Sequence, residues 1–445
     1  MRILLAAALV LPFFVVPTLA DSPQKETPSN AELQKEVEKL IEQLGDEEFA
    51  VREKAAKRIV EIGADALPTL RKAMDHPDLE VRRRLADMVP SIETSSALSP
   101  KIVSLNSEKQ TLKQIFDDLT KQTGYRYEYF NNNPNQTFSF KLDKKPLWQV
   151  LDAIGEESGL TVQQSYQEEV VRLQQQDARV PYVSYDGPFR VVATGFQLIK
   201  NSDFGTVPRS NPSPTRNQNL TMNLMLFAEP KTPMISIGQG MVTTAYDENK
   251  ASMNPDDAER NPNNPLVSRS FYRNGGYRMF CSQTSLNLVV PSDSSRKVQY
   301  IKGNIPVTLV TFQKQELLTS EVLKAKGKKF TAGTIEINVE DVTENPGGNV
   351  SIKMTVTNSD NKANPNDYSW QNAIYQRIEV QDADGHKFNH AGSSYGGNGP
   401  GQMNLTLNLS PPVGPNAGTA AKLYFQAWTT LQSSVTFEFK DLPLP

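Results

Sequence analysis

A chain that writes one short helix–glycine–strand pattern twice has little freedom in how those residues fold. Residues 111–130 read TLKQIFDDLTKQTGYRYEYF, and 35 positions on, from Pro146, the chain reads PLWQVLDAIGEESGLTVQQS. Leu112 matches Leu147, Gln114 matches Gln149, Asp117 matches Asp152, Leu119 matches Ile154 and Gly124 matches Gly159. In the first copy Leu112, Ile115, Phe116 and Leu119 fall at i, i+3, i+4 and i+7, one apolar stripe of a helix. Thr111 followed by Gln114 is a capping-box pattern, and Gly124 suits the left-handed residue that closes a helix. Tyr125, Tyr127 and Tyr129 then alternate with period two, as in a strand. In the second copy Pro146 opens the helix where a missing N–H costs nothing. Leu147, Val150, Leu151 and Ile154 form its stripe, Gly159 ends it, and Leu160–Val162 begins a strand. Strands at Ile102–Leu105 and around Phe138, Phe140 and Leu142 precede the two helices. The expected order is βαβ–βαβ, two half-units burying their helix stripes on one shared small sheet. Asp117 and Asp152 each follow a stripe residue, so their recurrence reads as duplication rather than as paired chemistry.

A second repeat lies upstream. Phe49-Ala-Val51-Arg52 corresponds to Leu79-Glu-Val81-Arg82 at an offset of 30 residues. Val37, Leu40, Ile41 and Leu44 make one helical stripe, and Phe49, Ala56, Ile59, Val60 and Ile62 supply others. Gly45 and Gly63 sit where helices should stop, and Asp46 and Asp65 where they could restart. A repeat of this size signals stacked helical pairs that cannot bury their faces alone. The passage DEEFAVREKAAKRIVEIGADALPTLRKAMDHPDLEVRRRLA resembles HEAT-type repeats, including Pro68 near a helix start and the Val-Arg pair. HEAT-like pairs present surfaces to partners. The run Arg82-Arg83-Arg84 lies among Asp75, Asp78, Glu80 and Asp87, which makes it a solvated helix face rather than a phosphate site.

The duplicated stretch, in turn, resembles the short STN domain at the N-termini of secretins and TonB-dependent signalling receptors. The features that carry the resemblance are the strand before Leu112, the L-x-x-[IV]-[LF]-D-x-[LI] helices, and the glycine followed by a strand in both copies. What the resemblance implies is a periplasmic interaction module, not an enzyme. The departure is that the rest of the chain looks like neither a secretin pore nor a receptor barrel.

From Val180 onward the helical period disappears. Phe189–Ala193, Leu220–Phe227, Ser285–Val290, Val307–Phe312, Thr334–Val339, Val350–Val356, Ile374–Val380, Met403–Leu409, Ala421–Trp428 and Val435–Phe439 read as strands. Polar connections rich in Pro, Asn, Ser and Gly separate them, at 205–219, 247–265, 359–370, 392–402 and 411–418. This pattern argues two β-sandwiches, divided near Lys326–Lys329. A transmembrane barrel would need regular strands with an unbroken apolar outer face, which the irregular spacing does not supply.

The expected fold class is therefore multidomain α+β: N-terminal HEAT-like α-hairpins, a βαβ–βαβ STN-like module and C-terminal β-sandwich domains. The expected domains are a signal peptide at 1–20, a linker at 21–30, HEAT-like repeats at 31–95, the STN-like module at 100–177, and β-sandwiches at 185–325 and 330–445. Arg2, the apolar run Ile3–Val16 and Thr18-Leu19-Ala20 have the order of an export signal; an uncleaved anchor is the alternative. A length of 445 residues requires several cores. A net charge of −3 speaks against a dedicated nucleic-acid binder.

Chemistry-bearing residues are sparse. Cys281 is the single cysteine, so no internal disulfide forms, and its apolar setting reads as a buried structural thiol. The histidines are His76, His386 and His390. His76 sits in an inter-helix turn. GSSYG at 392–396 matches G-x-S-x-G around Ser394, but it falls in a Gly/Ser-rich loop with no histidine after it. His386 and His390 are too far apart on a strand and turn to share a metal. Asp382-Ala-Asp384-Gly385 carries half of a calcium-loop pattern and is better read as a hairpin turn. The acidic loop Asp256-Asp257 to Glu259 is similarly ambiguous. One Cys and three scattered His offer no zinc spacing, and no phosphate loop is present. Lys324, Lys326, Lys328 and Lys329 read as a solvated linker. Among Trp148, Trp370 and Trp428, Trp148 belongs with the core and Trp370, in a polar loop, is the ligand-facing aromatic. The expectation is an exported, non-catalytic envelope protein with protein partners, with no catalytic, metal or cofactor residues assigned and no cofactor. The alternative is a carbohydrate- or polymer-binding or -active protein using its β-sandwiches; sugar retention by residues 180–445 alone would favour it.

Overall fold

The structure is a computed structural model. It describes residues 30–163, 170–176, 179–203, 215–255, 278–290, 292, 294–359, 370–371, 374–397, 399, 401–412 and 418–445. The export-signal and linker expectations over 1–29, and the acidic loop Asp256-Asp257 to Glu259, lie outside the described residues. The chain divides into two compact units, one through Ile92 and one from Glu93.

The first unit is helical, with α1 (Asn30–Gln43), α2 (Phe49–Ile62), α3 (Leu67–Lys72) and the first part of α4 (Leu79–Leu98). The stripes expected from spacing converge, so that Val37, Ile41, Leu44, Ile59, Leu70, Val81 and Leu85 share one core. The reason for the recurring arginine is visible in the turns before α2 and α4. Arg52 donates through Nη1 to the carbonyls of Asp46 (2.7 Å) and Glu47 (3.0 Å). Arg82, 30 residues on, donates in the same way to the carbonyls of His76 and Pro77. The turn residues correspond too: Asp46 Oδ1 accepts from the Glu48 N–H (2.9 Å) and His76 Nδ1 from the Asp78 N–H (3.2 Å). Each arginine thus closes the loop that leads into its own helix.

The second unit begins with the duplicated module: β1 (Ile102–Thr111), α5 (Leu112–Thr123), β2 (Arg126–Phe130), β3 (Thr137–Pro146), α6 (Leu147–Ser158), β4 (Leu160–Gln163) and β5 (Val170–Gln175). Thr111 and Gln114 form the expected capping box. Gly124 (φ 75°) and Gly159 (φ 74°) close the two helices in the left-handed conformation that a side chain would strain.

The strands do not form the single sheet expected. β1 pairs β3 antiparallel as a two-stranded sheet, while β5 lies between β2 (parallel) and β4 (antiparallel). The β1–β3 ladder obeys a local two-fold axis through the Asn106↔Lys141 pair. Ile102↔Pro146 mirrors Thr111↔Thr137, and Leu105↔Leu142 mirrors Ser107↔Phe140. Even the bulges are duplicated. Lys109 (φ 51°) and Lys144 (φ 48°) both sit left-handed. Their N–H groups donate to Ser139 Oγ and Ser104 Oγ, each at 3.0 Å.

Strands six to nineteen in chain order build the rest. These are β6 (Val183–Asp186), β7 (Phe189–Asp203), β8 (Thr215–Ala228), β9 (Met234–Ile237), β10 (Met241–Asp247), β11 (Cys281–Leu288), β12 (Lys297–Thr319), β13 (Lys329–Ala332), β14 (Ile335–Glu344), β15 (Val350–Asn358), β16 (Ile378–Gln381), β17 (Asn389–Gly397), β18 (Gln402–Ser410) and β19 (Lys422–Pro443). They form three sheets, in the orders β11-β8-β7-β6, β10-β12-β19-β16 with β9 also on β12, and β13-β14-β15-β18-β17. The first of these is covered on both faces at one end, around residues 189–192, 224–228 and 281–282. Val191, Leu224 and Leu226 point into a core shared with β12 and β19, while Val192, Phe227 and Cys281 point the other way, into the core of the duplicated module. A strand covered on both sides needs apolar residues at consecutive positions, as Leu224–Phe227 shows.

The division into successive β-domains at 185–325 and 330–445 gives way to a different arrangement. β12 and β19 pair from Lys297↔Pro443 to Thr319↔Leu423 and serve two cores in turn. Val435, Phe437, Phe439 and Leu442 pack with β7 and β8, whereas Leu423 and Phe425 pack with β14, β15 and β18. Ile374–Arg377, read as part of a strand, is a 3-10 turn before β16.

Replacing Lys109 or Lys144 with Gly removes a left-handed penalty of about 1–2 kcal/mol against a smaller entropic cost. Each variant is expected to raise unfolding stability by roughly 0.5–1 kcal/mol in denaturant melts. Midpoints at or below wild type for both would show that these bulges carry no strain.

Candidate functional site

The two copies of the repeated aspartate have separate fates. Asp117 stays on the surface, paired with Lys113 at 2.6 Å. Asp152 reaches β7, where it takes Arg190 in both hands: Nε to Oδ2 at 2.8 Å and Nη2 to Oδ1 at 2.8 Å. The Tyr185 hydroxyl donates to the same Oδ2 at 2.6 Å. Arg190 is 2% exposed and lies 5.2 Å over the Phe227 ring. Burial and the neighbouring Asp152 carboxylate push the Tyr185 hydroxyl well above its ordinary range. Such a bidentate partner offsets much of the cost of burying a guanidinium.

A second polar lock holds the start of the module. Glu229, fully buried, accepts from the Lys101 N–H at 2.9 and 3.1 Å and from the Tyr125 hydroxyl at 3.2 Å. Burial pushes its carboxyl up to about 7, against the opposing pull of Lys101, Lys231 and Tyr125. Lys231, whose own pKa burial lowers, donates to the carbonyls of Ser96 and Ser99, and Thr232 donates to that of Ala97 at 3.0 Å. Those three side-chain bonds satisfy carbonyls at the C-terminus of α4, which lack helical partners. Beside them the Pro188 carbonyl accepts from Trp148 Nε1 (2.9 Å) and from the Glu229 N–H (3.0 Å). Trp148 is thus a core residue, as its place beside the helix stripe suggested.

The other candidates are structural as placed. Cys281 is buried with Sγ 3.3 Å from Met225 Sδ, and burial pushes its thiol up to about 12. Asp382, Asp384 and His386 can bring one donor atom each within 4.8 Å of one another. Yet Asp382 already accepts from the His386 N–H (2.8 Å) and the Gly418 N–H (3.1 Å), with His386 Nδ1 2.8 Å away. Burial works against ionisation there, but these hydrogen bonds prevail and bring Asp382 down to about 2. Its oxygens fasten the turn.

Ser394 lies in β17, paired with Thr406 of β18, where a loop was expected. A Gly- and Ser-rich stretch carries little strand propensity, and the β18 ladder imposes it. The next described element is β18 rather than the helix a nucleophile elbow requires. His390 sits on the same strand with its ring 5.4 Å from Tyr375. His76 belongs to the turn before α4. Trp370 packs against the second core rather than facing outward, and Trp428 lies under the Arg377 guanidinium at 5.5 Å. The lysine cluster is no free linker: Lys324 pairs Glu321 (2.7 Å), Lys326 pairs Asp341 (2.8 Å) and Lys329 opens β13. In the basic run, Arg84 pairs Glu53 (2.9 Å) and Glu80 (2.8 Å). Sequence reasoning missed Arg190, Tyr185 and Glu229 altogether.

The comparisons with known proteins bear on the helical end. Residues 37–105 match the family model for HEAT repeats. The N-terminal helices are similar to HEAT repeats over that stretch. No curated protein and no solved structure matches the chain.

Two outcomes follow from the locks. Arg190→Met strands Asp152 and is expected to cost about 3 kcal/mol in denaturant melts. Asp117→Asn, at the equivalent exposed position, should stay within about 0.5 kcal/mol; equal effects would dissolve the distinction between the copies. Glu229 holds its proton to about pH 7 in the fold and, unfolded, only to its ordinary value of 4.5. The native state then binds more protons between those pH values, so stability falls as pH rises through that window, by about 3 kcal/mol in all. Glu229→Gln should flatten that slope, and an unchanged slope would assign the dependence elsewhere.

Proposed function

We propose that this chain is an exported, non-catalytic interaction protein of a cell envelope, whose HEAT-like helices present a surface to a protein partner. The observation that carries the reading is a pair of side chains at equivalent repeat positions. Phe49 and Leu79 begin α2 and α4, 30 residues apart, and are 64% and 72% exposed. Apolar side chains placed outward twice at the same repeat position mark a contact surface more readily than scattered exposure does. Support also comes from the polar clusters of the second unit, whose carboxylates and guanidinium are spent on internal bonds. In this reading the module over 100–177 is an STN-like adaptor, and the two β-cores are sandwiches that share the β12–β19 ribbon. Export rests on the residues before Asp21.

Crosslinking with affinity capture from the native envelope, comparing wild type with Phe49→Asp/Leu79→Asp, tests the reading. The substitutions are exposed and should leave the thermal midpoint within a few degrees. Capture of a discrete protein set that the double variant loses at least tenfold is the expected result. No captured protein, or the same set with both chains, would overturn it.

A further inference from the structure

Outside the Asp152–Arg190 pair lies a cleft of about 620 Å³, a volume in the range of small-molecule sites. Its polar lining comes from Asp152, Glu156, Thr161, Gln176, Arg179 and Tyr185. Leu160, Val180, Pro181 and Val183 supply apolar wall.

The chemistry of this lining is specific in three respects. Asp152 is partly exposed, while Arg190 behind it is 2% exposed and matches its charge. The cleft therefore meets a fixed, neutralised hydrogen-bond acceptor rather than a free anion. Tyr185 has its hydroxyl committed to Asp152 and is 37% exposed, so its ring is what remains to offer. The formal charges cancel, since Glu156 and Arg179 add one of each sign to the Asp152–Arg190 pair. An anion would meet the Asp152 and Glu156 carboxylates, and a cation would meet the Arg179 guanidinium. A neutral molecule rich in hydroxyls, with apolar C–H faces, satisfies the acceptors, the Arg179 donors and the ring together.

We propose that this cleft binds a neutral saccharide, of one or two sugar units. The proposal stands apart from the HEAT surface and does not depend on it. Saturation-transfer NMR on the full chain, with cellobiose, maltose and N,N′-diacetylchitobiose as separate probes at millimolar concentration, tests it. At least one disaccharide is expected to bind. Glu156→Ala and Tyr185→Ala should each weaken that binding about tenfold, while Tyr185→Phe, which keeps the ring, should retain it. Arg179→Ala, at the exposed rim, gives a further variant that leaves the Asp152–Arg190 pair intact and should also weaken binding. Phe49→Asp/Leu79→Asp should leave it unchanged, which separates this proposal from the partner surface. No binding by any of the three sugars would overturn the proposal. So would binding indifferent to Glu156→Ala and Arg179→Ala, or stronger binding of choline or citrate than of any sugar.

Discussion

Taking a guanidinium fully out of water is costly unless a carboxylate meets it, and one end of the second unit is built around such a pair. Arg190 stands on β7, at the end of its sheet that is covered on both faces, and it points toward the duplicated module rather than the β-core. Asp152, on α6, completes it bidentately. The cost of desolvating each charge is several kcal/mol, recovered only when the geometry is good. The pair therefore dictates how α6 sits on the sheet, and Trp148, Tyr185 and Phe227 pack around that placement.

The same sheet explains why the module is not a separate bead. Val192, Phe227 and Cys281 complete the core begun by the stripes of α5 and α6. On the opposite face Val191, Leu224 and Leu226 join β12 and β19. A layer shared by two cores transmits the position of each to the other, because packed interiors do not yield. Glu229 and Lys231 reinforce this join at the start of β1 with bonds that only burial makes strong.

Much of the local structure was legible in the residues. The capping box at Thr111, the glycine C-caps and the helix stripes are short-range features, each with a cause within a few positions. The offset of 30 residues marked the HEAT pair for the same reason, because a repeat is its own local comparison. Many strand segments after Val180 are legible in the residues, but β19 reads there as two strands and β17 as a loop. The pairing of β12 with β19 spans more than a hundred positions, and nothing in either segment alone names its partner.

The repeated aspartate shows where the division lies. The sequence by itself determined that Asp117 and Asp152 occupy equivalent places on duplicated helices, since hydrophobic period and glycine caps act within one turn or two. The left-handed bulges at Lys109 and Lys144 and their two-fold ladder emerge only in the folded chain. The tertiary structure alone decided that Asp117 would remain in solvent while Asp152 met a buried arginine 38 positions away. A charge's role depends on what removes its water, and that is settled by the packing of distant segments rather than by the residue or its neighbours.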